Sequence, residues 1–132
     1  MSPHLLKKYF DAVTAPEYDK LGISPSMAPF LGTIHHHEGI SMKGISEILA
    51  MDKALTSRHV TRLIEMGLVE NMASGHAYSL RLTDEGLEMA RSIKIIVRDA
   101  WKGLFDDLTP DEKEVMKTVI DKVSIKIRRA LE

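Results

Sequence analysis

Cysteine is absent from the 132 residues. That excludes a disulfide scaffold, a thiol redox sensor, a Cys nucleophile and any zinc site with thiolate ligands. No apolar run approaches the roughly 20 residues that cross a bilayer. The opening stretch Met1-Ser2-Pro3-His4-Leu5-Leu6-Lys7-Lys8 lacks a charged segment followed by an apolar one, so no signal peptide is expected. The chain is expected to be cytoplasmic, with no membrane partner. A net charge of −1 gives no bulk attraction for nucleic acid, so any DNA binding must come from a local patch. Catalytic signatures are missing too: there is no nucleophile elbow, phosphate loop or His-Glu-x-x-His. The carboxylates fall mostly at helix starts, where capping accounts for them, so neither an enzyme nor a bound cofactor is expected. What remains is 44% hydrophobic and 28% charged, enough for one domain around one core.

Helix punctuation organises that material. Leu5, Leu6, Tyr9, Phe10 and Val13 recur at helical spacing, and Pro16 predicts the end of this first helix. Ser24-Pro25 reads as an N-cap with proline at the first helical position. The helix it opens carries Phe30, Leu31 and Ile34, with a bend or tight first turn expected at Pro29, and runs out at Glu38-Gly39. Ser41 caps a short helix with Ile45, Ile48 and Leu49 on one face. After Asp52 a further amphipathic stretch carries Val60 and Leu63 to Gly67. Residues 68–72 and 78–82 read as strands, joined by the glycine-containing turn 73–77 into a hairpin. Thr83 caps a long helix with Asp84 and Glu85 in its first turn. Its apolar stripe is Leu87, Ala90, Ile93, Val97, Ala100, Trp101, Leu104 and Phe105. Thr109-Pro110-Asp111-Glu112 is a capping box that starts a last helix holding Val115, Met116, Val119, Val123 and Ile127.

Helix, helix, helix, helix, hairpin and two long helices form a mainly α class with a winged helix-turn-helix at its centre. Residues 23–83 are the DNA-binding lobe of the single domain 1–132. A short helix braced against a second one presents the outer face of the second to a DNA major groove. With Val60 and Leu63 buried, and Thr56 and His59 on the same side, the residues left facing out are Lys53, Ala54, Leu55, Ser57, Arg58 and Arg62. Basic and small polar groups on one face suit groove entry, and the hairpin is the wing. The terminal segments 1–20 and 84–132 carry more apolar surface than the small lobe can cover. They are therefore expected to form a two-fold interface through Leu6, Phe10, Trp101, Val115, Val119, Val123 and Ile127.

On Ile23-Ser24-Pro25-Ser26, Gly39-Ile40-Ser41, Asp52-Lys53, Arg58, Gly67-Leu68-Val69-Glu70 and Leu82-Thr83-Asp84-Glu85-Gly86, the chain resembles the MarR-type transcription regulators. The spacing aligns without a gap from residue 23 to about residue 70. The resemblance implies an obligate homodimer that binds a pseudo-palindromic duplex as a regulator, most simply a repressor. It also implies a small-molecule effector, bound where the long helices meet the DNA-reading lobe, that changes the spacing of the recognition helices.

Two places depart from the family pattern. Counting back from Leu82-Thr83, Ser74 and His76 stand where the family carries Asp and Arg, and from Glu70 to Thr83 the only full cation is Arg81. Wing contacts with DNA are thus expected from Ser74, His76 and Arg81, and any contribution of His76 would strengthen as pH falls. The second departure is Ala54-Leu55, in place of the small hydroxyl residues that usually start the recognition helix; apolar contact with a thymine methyl stays open. Against a metal-responsive reading, the run His35-His36-His37 has no His-x-x-x-His spacing, and consecutive helical side chains diverge by about 100°. It reads as a solvated helix end with no metal. The remaining alternative is a winged-helix adaptor that binds protein, which the depleted wing keeps open.

Overall fold

Ser2 opens the first helix, α1 (Pro3–Leu21), accepting the His4 amide, and Gly22 closes it in the left-handed conformation at φ 70°. The computed structural model describes residues 1–75 and 77–132. It divides into two units, residues 1–98 and 99–132. Contrary to the sequence expectation, α1 does not end at Pro16. Proline removes one amide donor and leaves the carbonyl four residues back without its partner. Here both Pro16 and Ala12 are exposed, so water can satisfy that carbonyl. Two residues later Tyr18 is buried at 6% exposure, which holds the end of the helix on the core. Burial also pushes the Tyr18 hydroxyl pKa above its ordinary value.

Pro25 to Met27 form a single 3-10 turn that leads directly into α2 (Ala28–His36). This is the tight first turn expected around Pro29. Then come α3 (Met42–Leu49), α4 (Lys53–Glu65), β1 (Val69–Asn71), β2 (Leu80–Leu82), α5 (Asp84–Phe105) and α6 (Pro110–Leu131). The strands are antiparallel, pairing Val69 with Leu82, Glu70 with Arg81 and Asn71 with Leu80. They are shorter than the sequence expectation because the Asn71 side chain turns the chain early. Its carboxamide oxygen accepts the amides of Ala73 and Ser79 at 3.1 and 2.9 Å.

Phe30, Leu31, Ile34, Ile45, Val60, Leu63 and Leu80 are fully buried at 0% exposure. The core of the first unit is therefore built from α2, α3, α4 and the wing strand β2. Ile40 adds a pairing that the sequence did not suggest. It bridges Leu80, whose amide donates to the Ile40 carbonyl at 3.0 Å, while the Gly39 amide donates to the Leu80 carbonyl at 2.8 Å. The chain entering α3 is thus tied to the wing. Ile48 corrects another expectation: it does not join Ile45 on the buried face but is 51% exposed.

Thr83 caps α5 as expected. Its hydroxyl oxygen accepts the Gly86 amide at 3.0 Å, and the hydroxyl donates to the Gly67 carbonyl at 2.6 Å. In the second unit Thr109 accepts the Glu112 amide at 3.2 Å and donates its hydroxyl to the Glu112 carboxylate at 3.1 Å. No residue of α6 is buried.

Candidate nucleic-acid interface

Helices α3 and α4 meet at a turn of only three residues, and each side of that turn is fixed locally. Ser41 caps α3 by accepting the Gly44 amide at 3.0 Å. At the other end of α3 Ala50 takes the left-handed conformation at φ 51° and donates its amide to the Glu47 carbonyl. Asp52 then caps α4, accepting the Leu55 amide at 2.7 Å.

Between the two helices lies a buried polar pair. The Ser46 hydroxyl donates to Thr56 Oγ1 at 3.0 Å, and the Thr56 hydroxyl donates to the Asp52 carbonyl at 2.9 Å. Both side chains are buried, and among the described residues no buried side-chain polar atom lacks a partner. The Ser46 hydroxyl also lies 3.1 Å from the Met42 carbonyl of its own helix, so the pair joins the two helices through a buried contact in which both hydroxyls are satisfied. Ser46 carries no signal in sequence, since a serine inside a short helix reads as a side chain facing water. With Thr56, Val60 and Leu63 turned inward, the opposite face of α4 is set.

That face carries Lys53, Ala54, Ser57, Arg58 and Arg62 in exposed positions, with Leu55 half-buried at its edge. Thr61, also exposed, belongs to the same stripe and was missed by sequence reasoning, although its spacing from Ser57 and Arg58 would have found it. His59 is half-buried, with its ring centroid 4.8 Å from that of Phe30, so it buttresses the core rather than the exposed face. Arg62 lies 3.6 Å from Glu65, whereas among the described residues Lys53 and Arg58 enter no ion pair. Two cations are therefore free on the exposed face of α4.

The wing is arranged differently. Ser74 is exposed beside Gly75, which adopts φ 110° in the turn. Arg81 is held by Glu70, its Nε donating to the carboxylate at 2.5 Å. His76, the remaining expected wing contact, lies outside the described residues.

A cleft of about 430 Å³ opens between α2 and α5 within the first unit. Leu31, Leu87 and Ile93 give it an apolar floor, and His35, His36 and Arg91 line it as well. Among the described residues no group of three or more His, Asp or Glu side chains could hold a metal ion. Among the described residues no helix is long and apolar enough to cross a membrane.

Of the residues expected at a two-fold interface, Leu6 and Phe10 on α1 are half-buried. In the second unit Trp101 is 39% exposed, and its ring stacks on Phe105 with centroids 5.6 Å apart. Val115, Val119, Val123 and Ile127, spaced four residues apart along α6, are 64%, 52%, 50% and 54% exposed.

Residues 21–76 match the sequence profile of the MarR family. No curated protein sequence matches the chain. In fold it is similar to a MarR crystal structure at 21% identity, with a TM-score of 0.80 over 98% of this chain and 93% of the other. A MarR protein from Peptoclostridium difficile is similar at 25% identity and a TM-score of 0.73, covering 96% of this chain and 85% of that one. A mutant of MepR from S. aureus, bound to an oligodeoxyribonucleotide, shares the fold at 17% identity and a TM-score of 0.69, over 94% of each chain.

Proposed function

We propose that this MarR-type winged helix-turn-helix protein is a sequence-specific DNA-binding transcription regulator that acts as a homodimeric repressor. The observation that carries the reading is the exposed face of α4. Its unpaired cations Lys53 and Arg58 flank small side chains, on a helix locked to α3 by the Ser46–Thr56 pair. An arginine on that face can donate two hydrogen bonds to a guanine, and a lysine can neutralise a phosphate. Ala54 and Leu55 would lie against thymine methyls, Ser57 and Thr61 would supply hydroxyls, and Arg62 would reach the backbone if Glu65 lets it go.

Dimerisation is the second part of the proposal. An α6 with four half-exposed β-branched residues in one row leaves apolar surface that a second copy would cover. Two-fold symmetry then calls for a pseudo-palindromic site with half-sites about 10 base pairs apart. The third part is an effector, for which the α2–α5 cleft is the place. It adjoins α2, whose core residues pack against the helix-turn-helix, so a ligand there could shift the recognition helix.

The experiment is selection of bound sequences from a random duplex pool at physiological salt. Recovery of a two-fold symmetric motif by the wild type, and its loss with Arg58→Ala, is the expected result. Enrichment of no motif would favour the adaptor reading, which the paired wing arginine supports. DNA affinity that hardly changes with salt would point the same way, since phosphate contacts make binding steeply salt-dependent.

A further inference from the structure

The hairpin register places Glu70 directly opposite Arg81. Strand alternation puts both on its solvent face, since Val69, Leu80 and Leu82 are buried. The two side chains are 41% and 42% exposed and joined by the 2.5 Å bond from Arg81 Nε to Glu70 Oε1. Beside them opens a cleft of about 520 Å³ whose other ionisable lining is entirely acidic: Glu38 just beyond α2, and Asp84 and Glu85 from the first turn of α5. Asp84 and Glu85 are favoured there by the positive end of the helix dipole. One guanidinium thus shares the lining of this cleft with four carboxylates, and it is the only Lys or Arg between Glu70 and Thr83.

We propose that Glu70 withholds Arg81 from DNA, so that the base of the wing acts as an electrostatic brake on DNA affinity. The cationic contacts of this chain then rest on α4 through Lys53 and Arg58. The proposal rests on the DNA-binding reading and specifies how strongly the site binds and which residue sets that strength. Glu70 engages the Nε donor of Arg81, so an approach to phosphate through the remaining Nη donors would carry the Glu70 carboxylate to the backbone with it. An approach without Glu70 would break a charge-assisted hydrogen bond and leave that carboxylate bare in the field of a duplex that carries one negative charge per roughly 1.7 Å of axis. Glu38, Asp84 and Glu85 add repulsion of the same sign. A glutamine at position 70 keeps the shape and an acceptor oxygen but removes the charge that holds the arginine.

The test measures binding of the full chain to a labelled duplex across a salt series, for wild type, Glu70→Gln, Arg81→Ala and Arg58→Ala, with the melting transition of each recorded alongside. Glu70→Gln is expected to bind about five-fold tighter at low salt, with a salt slope steeper by about one per subunit. Arg81→Ala is expected to stay within about two-fold of wild type, because a withheld cation contributes no counterion release. Arg58→Ala reports on the underlying reading and should weaken binding. An Arg81→Ala variant that loses affinity and flattens the slope as Arg58→Ala does would overturn the proposal, because Arg81 would then be touching phosphate. A Glu70→Gln variant indistinguishable from wild type would overturn it as well, and in both cases the loss seen in Arg58→Ala leaves the DNA reading standing. If neither wild type nor Glu70→Gln binds at any salt, the DNA reading falls and the brake falls with it.

Discussion

Gly86, in the first turn of α5, lies so close to Leu68 that a Cβ at position 86 would overlap the Leu68 carbonyl oxygen. It would also stand 2.9 Å from that carbonyl carbon and 3.2 Å from the Cβ of Leu82. The same carbonyl accepts the Thr83 amide at 3.1 Å. The chain leaving α4 and the start of α5 are therefore clamped together, and the wing is held between them. Only glycine permits backbones to approach this closely.

Gly86→Ala is accordingly expected to destabilise the protein by about 1–3 kcal/mol, through the shift that the Leu68 backbone must make. The sign is the informative part. At an unhindered helical site the same change stabilises by roughly 0.5–1 kcal/mol. Denaturant unfolding measures it, and a stabilised variant would show that α5 does not pack on Leu68.

Ala50 holds the left-handed conformation at φ 51° in the turn between α3 and α4, at a cost of about 1 kcal/mol for a residue with a Cβ. Ala50→Gly relieves that cost, as glycine does at helix ends generally. The expected result is a gain of up to about 1 kcal/mol in unfolding free energy, seen as a higher midpoint, with DNA affinity unchanged. A drop in stability would mean that the turn is not left-handed at this residue.

The row of exposed valines on α6 predicts an assembly. Replacing Val119 and Val123 together with Asp would place unpaired charges in the two-fold interface, which is costly wherever water is excluded. Sedimentation should then show dimers for the wild type and monomers or unfolded chain for the variant. Wild-type chain that sediments as a stable monomer at micromolar concentration would refute the interface.

The two free cations of α4 should behave differently. If Arg58 reads guanine, Arg58→Ala costs about 1–3 kcal/mol and relaxes preference at one base pair of each half-site. Lys53→Ala should weaken binding to all sequences alike and reduce the salt slope by about one per subunit. A uniform loss from Arg58→Ala would reassign it to phosphate.

The sequence by itself determined the order of the elements and most of their ends. Those signals are local: Ser41, Asp52, Thr83 and Thr109 each accept the amide three residues ahead, so the cap is encoded within one turn of chain. The outward face of α4 was legible for the same reason, since the burial of Thr56, Val60 and Leu63 follows the helical period. Tertiary structure alone decided what depends on distant partners. Pro16 did not end α1, because burial of Tyr18 outweighs one lost hydrogen bond that water can replace. Ile48 was left out of the core although it is as apolar as Ile45, because the partners of α3 cover only one side of it. Ser46 went inside because the Met42 carbonyl and Thr56, ten residues away, both offer its hydroxyl an acceptor. Arg81 looked like a free cation in sequence, but the hairpin register sets it opposite Glu70. Periodicity and capping are properties of a few consecutive residues, whereas the worth of a charge or hydroxyl is set by whatever the fold brings against it.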